Sequence, residues 1–264
     1  MGTFTGSLNR YLYLGGVIVV LLGWEIVSLT VAAEALPRPR EVWNGLMLLH
    51  TNGKLWQHLP ISLYRTLMGF GLGAALGFIA GALAGFSKPL YYLLKPLTGA
   101  LLSFPAVAVV MVGMVWFGMG STLAVVITAL FTFPLVYRST VEGVRLMDAR
   151  LLEMAAVFRL SKWALWWNIY LPALATALLA GFAFAAGTAF RKTVMAELLG
   201  SHDGVGYAMA MTRFNLETAE LFAWVMVCLF VVAGIELLAV RPAHKYLRLW
   251  NLPDEKRRGA LKNV

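Results

Sequence analysis

From Pro96 to Tyr137 the chain carries no charged side chain. At about 20 residues per crossing of the hydrocarbon core, that run is too long for one membrane span and suits two. Phe117-Gly118-Met119-Gly120-Ser121 marks the turn between them, which places one span at 97–116 and the next at 121–138. Pro105 and Pro134 fall inside these spans, where neighbouring helices can satisfy the backbone groups that proline frees. Composition agrees: 60% of residues are hydrophobic and 13% charged, where a soluble domain carries roughly a quarter charged residues. These features predict an all-α polytopic membrane protein with about six transmembrane helices.

The remaining spans follow from the same pattern. Tyr11 to Thr30 is apolar except for Glu25, with Tyr11, Tyr13 and Trp24 as interface anchors. Glu25 either ends that span or faces protein or water. The first span reads as retained, since no Ala-x-Ala-type cleavage site follows it. Residues 31–62 are mixed, and within them Glu41 to His50 has helical apolar spacing. That segment is either an interfacial helix or a helix packed over the bundle. Thr66 to Phe86 is the second span, and Gly69, Gly73, Gly77, Gly81 and Gly85 recur along one side of it. Small residues at that spacing let helix backbones approach closely. Trp163 to Phe190 contains the fifth span, and Leu221 to Val240 is the sixth. The chain thus divides into 1–62, an N-terminal span and connection, 63–240, a core, and 241–264, a basic tail.

Charge sets the orientation. With both ends on one side, that side holds Arg10, Lys88, Lys95, Arg138, Arg145, Arg150, Arg159, Lys162 and the tail's basic residues, about fifteen against about seven opposite. The positive-inside rule makes the richer side, and both termini, cytoplasmic. The net charge of +9 is therefore a matter of topology and head groups and implies no nucleic-acid partner. Cys228 is the only cysteine, which excludes an intrachain disulfide, and the four histidines lack metal-ligand spacing.

The segment from Leu151 to Pro172, LLEMAAVFRLSKWALWWNIYLP, interrupts the apolar pattern on the cytoplasmic side. Asp148 can cap a helix on which Leu152, Ala155, Ala156 and Arg159 fall on adjacent turns. Ser161 can cap a second helix that carries Trp163, Trp166 and Trp167 into the head-group region. Two short helices that present alanines flanked by charge form either a partner surface or a solvated amphipathic loop.

The segment resembles the EAA loop of permease subunits of binding-protein-dependent ABC importers, whose pattern is Glu-Ala-Ala-x-x-x-Gly…Ile-x-Leu-Pro. Glu153, Ala155, Ile169, Leu171 and Pro172 fall in register; Met154 replaces the first Ala, and Arg159 stands at the Gly. The segments LPRPREVWNGL, SLYRTLMGFGLGAALGFIAGALAG and FRKTVMAELLGSHDGVGY are similar to the nitrate, sulfonate, taurine and bicarbonate group of these permeases. The resemblance implies the type I (MetI-like) permease fold in a bacterial inner membrane. It also implies a second permease subunit, two ATP-binding subunits and an extracytoplasmic solute-binding protein. Glu153, Ala155, Ala156, Arg159, Ile169, Leu171 and Pro172 would then couple to the ATPase. Phe104, Pro105, Met111, Thr188, Arg191 and Glu197 are the candidate pathway residues. Asp203, Gly204 and Gly206 are candidate contacts to the binding protein.

The chain has no G-x-x-x-x-G-K-[ST] phosphate loop, so ATP and Mg would sit on the partner subunits and no cofactor is expected here. Arg191 and Lys192 either draw an anion to the outer mouth, or snorkel to head groups or pair with Glu197. The competing readings are an ATP-independent secondary transporter or channel, and a membrane anchor with no pathway. Few intramembrane charges and no repeated broken helices speak against the first. An anchor would not need a patterned cytoplasmic loop.

Overall fold

The computed structural model describes residues 4–32, 35–145, 153–155, 157–158, 161–165, 167 and 171–240. Its labelled elements are all helical: α1 (Phe4–Thr30), α2 (Pro39–Thr51), α3 (Lys54–Phe86), α4 (Lys88–Ser103), α5 (Ala106–Phe117) and α6 (Ser121–Arg145). A short α7 (Lys162–Leu165) precedes α8 (Leu171–Gly200), α9 (Val205–Phe214) and α10 (Thr218–Ile235), which a π turn extends to Val240. Every expected span but the third, 97–116, falls on one helix or on α10 with its π turn. Among the described residues α3, α6 and Thr218–Leu238 are each long and apolar enough to cross a membrane, and α4 with α5 makes a fourth if the bent pair counts as one.

That bent pair corrects the reading of 97–116 as one continuous span. α4 and α5 meet at 104°, and Phe104 between them is extended at φ −67° and ψ 137°. The cause is Pro105, which cannot donate to the helix and disfavours helical geometry in the residue before it. Pro134, by contrast, sits inside an unbroken α6. The turn at 118–120 is where the sequence places it, with Gly118 at φ 68° and Gly120 at φ 122°.

α3, α6 and α8 form the centre. The glycine stripe of α3 lies directly on α6, with Gly69 against Thr128 at one end and Gly85 against Val144 at the other, so the two helices run parallel. A Cβ on Gly77 would lie 2.6 Å from the Phe133 carbonyl oxygen, and one on Gly81 2.7 Å from that of Tyr137. These are backbone-to-backbone approaches that no other residue type permits. α8 runs antiparallel to α6, with Gly181 against Ser139 and Gly200 against Leu123.

Hydroxyls tie the three helices together. Thr66 on α3 donates to Thr193 on α8 at 3.0 Å, and Thr193 shares a hydrogen bond of 2.8 Å with Thr128 on α6. Each is buried. Thr128 also donates to its own helix, at Ala124, which satisfies the hydroxyl twice.

α2 is the packed helix of the two alternatives. Its Val42 and Leu49 join Phe190, Val205 and Trp224 in one core cluster, and Gly45 lets it approach Ala219 and Ala223 of α10. Lys54, at the start of α3, pairs with Glu220 of α10 at 2.9 Å. α1 is joined to this group by Trp24, whose indole donates to the Pro37 carbonyl at 3.1 Å.

Candidate functional site

Two places carry chemistry, one at each end of the central helices. The first lies where α6 ends and α8 begins. Glu153, Met154 and Ala155 are helical; Glu153 is exposed and Ala155 is buried. Val157 and Phe158 are 79% and 71% exposed. Ser161 accepts from the Ala164 amide at 3.2 Å, so it caps α7 as its position requires. Trp163 and Trp167 meet edge to face with centroids 5.6 Å apart. Leu171 and Pro172 open α8, and Pro172 falls in its first turn, where a missing N–H costs nothing. Asp148, Ala156, Arg159, Trp166, Ile169 and the tail 241–264 lie outside the described residues.

The opposite end holds a buried ion cluster that the sequence reading did not assemble. Ser62, Arg65 and Thr66 lie on the same face of α3 as Gly69, at helical steps of three and four. Arg65 is therefore carried into the helix seam and is 1% exposed. A buried guanidinium must find acceptors for its five N–H groups. It donates to Glu197 Oε1 at 2.9 Å, Ser201 Oγ at 3.0 Å and the Asp203 carbonyl at 3.0 Å. Its other edge donates to Ser121 Oγ, at 3.1 Å from Nε and 2.7 Å from Nη2, and to the Asp203 carboxylate.

Glu197 completes the arrangement. Its second oxygen accepts from Ser62 Oγ at 2.7 Å and from the Gly206 amide at 3.1 Å. The Ser62 hydroxyl accepts from the Val205 amide at 2.8 Å, and His58 Nδ1 accepts from the Gly204 amide at 3.2 Å. Three amides at the start of α9 are thus capped by side chains of α3 and α8, and a carboxylate sits at the positive end of the helix dipole. Gly204 has φ 94° and lies where a Cβ would be 2.5 Å from the Glu197 carboxyl; Gly206 lies against the Val194 carbonyl. Both glycines are required by this close packing.

Asp203 lies in the loop between α8 and α9. Burial raises its carboxyl's pKa, but hydrogen bonds and charge from Arg65 outweigh that and leave it below the ordinary range. A depressed carboxylate stabilises the fold fully above its unfolded value of about 3.9 and loses that contribution as pH falls through the folded value. Thermal midpoints of the purified protein should therefore drop on acidification below about pH 4. Asp203→Asn should be less stable at neutral pH and show a shallower acid drop.

The remaining expected site residues are dispersed. Phe104 and Pro105 are exposed at the break, and Met111 is exposed on α5. Thr188 is half-buried and donates within α8, to Ala185 at 3.0 Å. Arg191 is exposed, and the Lys192 ammonium lies 4.6 Å from the centroid of the Phe131 ring. Glu197 is thus paired with Arg65, more than 130 residues away in sequence, and not with Arg191 or Lys192.

Comparison with known proteins places this architecture. Residues 73–241 match the family described as binding-protein-dependent transport system inner membrane component. The chain is 35% identical over 231 residues to a putative aliphatic sulfonates transport permease protein of Bacillus subtilis, covering 86% of this chain and 83% of that one. It is 25% identical to the taurine transport system permease protein TauC of Escherichia coli, covering 89% and 88%. Among solved structures it superposes on the inward-facing MetNI methionine ABC transporter with TM-score 0.61 and 15% identity, covering 78% of this chain and 98% of that one. An all-α MetI-like bundle and these relatives agree: the chain belongs to the binding-protein-dependent inner membrane components, the permease subunits of ABC importers.

Proposed function

We propose that two copies of this chain line the pathway of an ATP-driven importer for a small organic anion, an aliphatic sulfonate or close analogue. The observation that carries the reading is the surface at 153–158, where exposed Val157 and Phe158 stand beside exposed Glu153. An apolar knob with a charge at its rim is what a partner grips and orients. The ATP-binding subunits would dock there, on the cytoplasmic side of the inner membrane with both termini. The solute class comes from the relatives named for sulfonates and taurine.

In this reading a solute-binding protein meets the end that carries Asp203, Gly204 and Gly206. The Phe104–Pro105 break, Met111, Thr188 and Arg191 belong to the pathway or to the contact with the second copy. Approach of the ATPase subunits would shift the docking loops and change the side to which the pathway opens.

The test joins binding to transport. Glu153→Lys alters an exposed side chain, so the permease should fold while its ATP-binding subunit no longer co-purifies. Ala155→Asp should release the subunit as well, through a charge placed at a buried position. In proteoliposomes with the full complex and binding protein, labelled ethanesulfonate should accumulate only with ATP. Accumulation by the chain alone without ATP would overturn the reading in favour of a secondary transporter.

A further inference from the structure

The register of α8 against α6 sets the depth of the basic pair Arg191-Lys192. Gly181 lies on Ser139, Gly200 lies on Leu123, and Thr193 shares its hydrogen bond with Thr128 between them. Lys192 is therefore about 12 Å short of the Gly200 end of α8, at 1.5 Å per residue. Its ammonium lies 4.6 Å from the centroid of the Phe131 ring. Phe131 in turn sits about 15 Å from Ser121 and about 10 Å before Arg138, the first charged residue of α6. The ammonium is thus held well inside the uncharged run of α6, not at the end of the bundle where a lysine snorkels to head groups.

Among the described residues nothing neutralises it. Glu197 is held by Arg65, and neither Arg191 nor Lys192 has a carboxylate partner. A ring face attracts an ammonium without cancelling its charge. A second copy of the chain offers no carboxylate at this depth from the core helices. Thr66 to Phe86 of α3, α4, α5, α6 as far as Tyr137, α8 as far as Ala196 and Leu221 to Ile235 of α10 carry no acidic residue.

Cations inside the membrane are costly against lipid, and those that persist face protein or water. Lys192 is half-buried and Arg191 is exposed. Toward Leu171 the same side of α8 carries half-buried Thr188 and exposed Phe184, and Gly187 has open space at its Cβ position. Ala106, which opens α5 after the Phe104–Pro105 break, packs on the cluster that holds Phe131. Irregular backbone at membrane depth is likewise tolerated only against protein or beside water.

We propose that Lys192 is a solute-binding residue inside the membrane, which with Arg191 holds the anionic head of the transported solute partway along the pathway. The proposal deepens the importer reading and rests on it for the nature of the anion.

The test uses the full complex with its binding protein in proteoliposomes and labelled ethanesulfonate as probe. Lys192→Met keeps most of the side-chain length and removes the charge. Its uptake should fall about tenfold or more, the size of a lost charge-assisted hydrogen bond. Its ATP-binding subunit should still co-purify, and its thermal midpoint should not drop. Lys192→Arg retains the charge and should keep uptake within about threefold of the parent. Uptake by Lys192→Met at the parent rate would overturn the proposal. So would a loss that comes only with a lowered thermal midpoint, which marks a packing residue. Lys192→Cys in a Cys228→Ser background tests the surroundings of the position without transport. In nanodiscs of the complex it should react with sulfonatoethyl methanethiosulfonate, an anionic reagent that does not cross lipid. No reaction either with or without ATP would overturn the proposal, since the side chain then faces lipid or protein. ATP-independent uptake by the parent defeats the importer reading alone, whereas ATP-driven uptake that Lys192→Met leaves intact defeats this proposal alone.

Discussion

Glu197→Ala is expected to destabilise the protein by about 3–5 kcal/mol, the cost of leaving one charge of a buried pair without its partner. The Arg65 guanidinium would remain 1% exposed with its principal carboxylate gone. The Gly206 amide and the Ser62 hydroxyl would lose an acceptor in the same step. Thermal unfolding of the detergent-purified protein, or the folded fraction in a denaturant titration, measures the effect. Glu197→Gln keeps the shape and most acceptors, and should cost less. The double variant Arg65→Met/Glu197→Met should recover part of the loss, since an apolar pair of similar volume removes the unpaired charge. If Glu197→Ala unfolds like the parent protein, the cluster is not a clamp.

The second large effect is at the glycine seam. Gly77→Ala should cost about 1–3 kcal/mol, because the added Cβ meets backbone rather than a movable side chain. Gly77→Leu should prevent accumulation of folded protein. Gly71, on the same helix, has nothing within 4 Å of its Cβ position, and Gly71→Ala serves as the control that should be neutral or mildly stabilising. Equal behaviour of Gly71→Ala and Gly77→Ala in thermal unfolding would refute the seam.

The contrast between these two predictions shows what the residue order conveys. A glycine every fourth position states its own helix face, so the close packing of α3 was legible before any partner was known. Its partner, α6, was not, because nothing local in a stripe names the helix that fills it. The ion cluster was harder still. Glu197 lies five and six positions from Lys192 and Arg191, and local pairing looks natural from sequence. The actual partner, Arg65, is brought in by the fold. One signal was available: Ser62, Arg65 and Thr66 continue the glycine face, and a cation on a buried face requires an anion from elsewhere. The break at Phe104 was hidden for a different reason. Pro105 and Pro134 look alike in an uncharged run, and only the surrounding helices decide which one bends. The loop from Leu151 to Pro172 was legible as a break in the apolar pattern, while Ala156, Arg159 and Ile169, three of the seven residues named for it, lie outside the described ones.

The seam between α3 and α6 also limits how this molecule can move. Gly69, Gly73, Gly77 and Gly81 are each seated opposite a backbone carbonyl and Gly85 opposite the Val144 side chain, at a repeat of four residues, or about 6 Å at 1.5 Å per residue. A slide of less than one repeat would drive the intervening side chains of α3 into α6, so the pair has detents and no smooth travel. Small gliding adjustments between these two helices are therefore closed to it. Conformational change must be taken up at joints such as Phe104–Pro105, with α3 and α6 turning as a single piece.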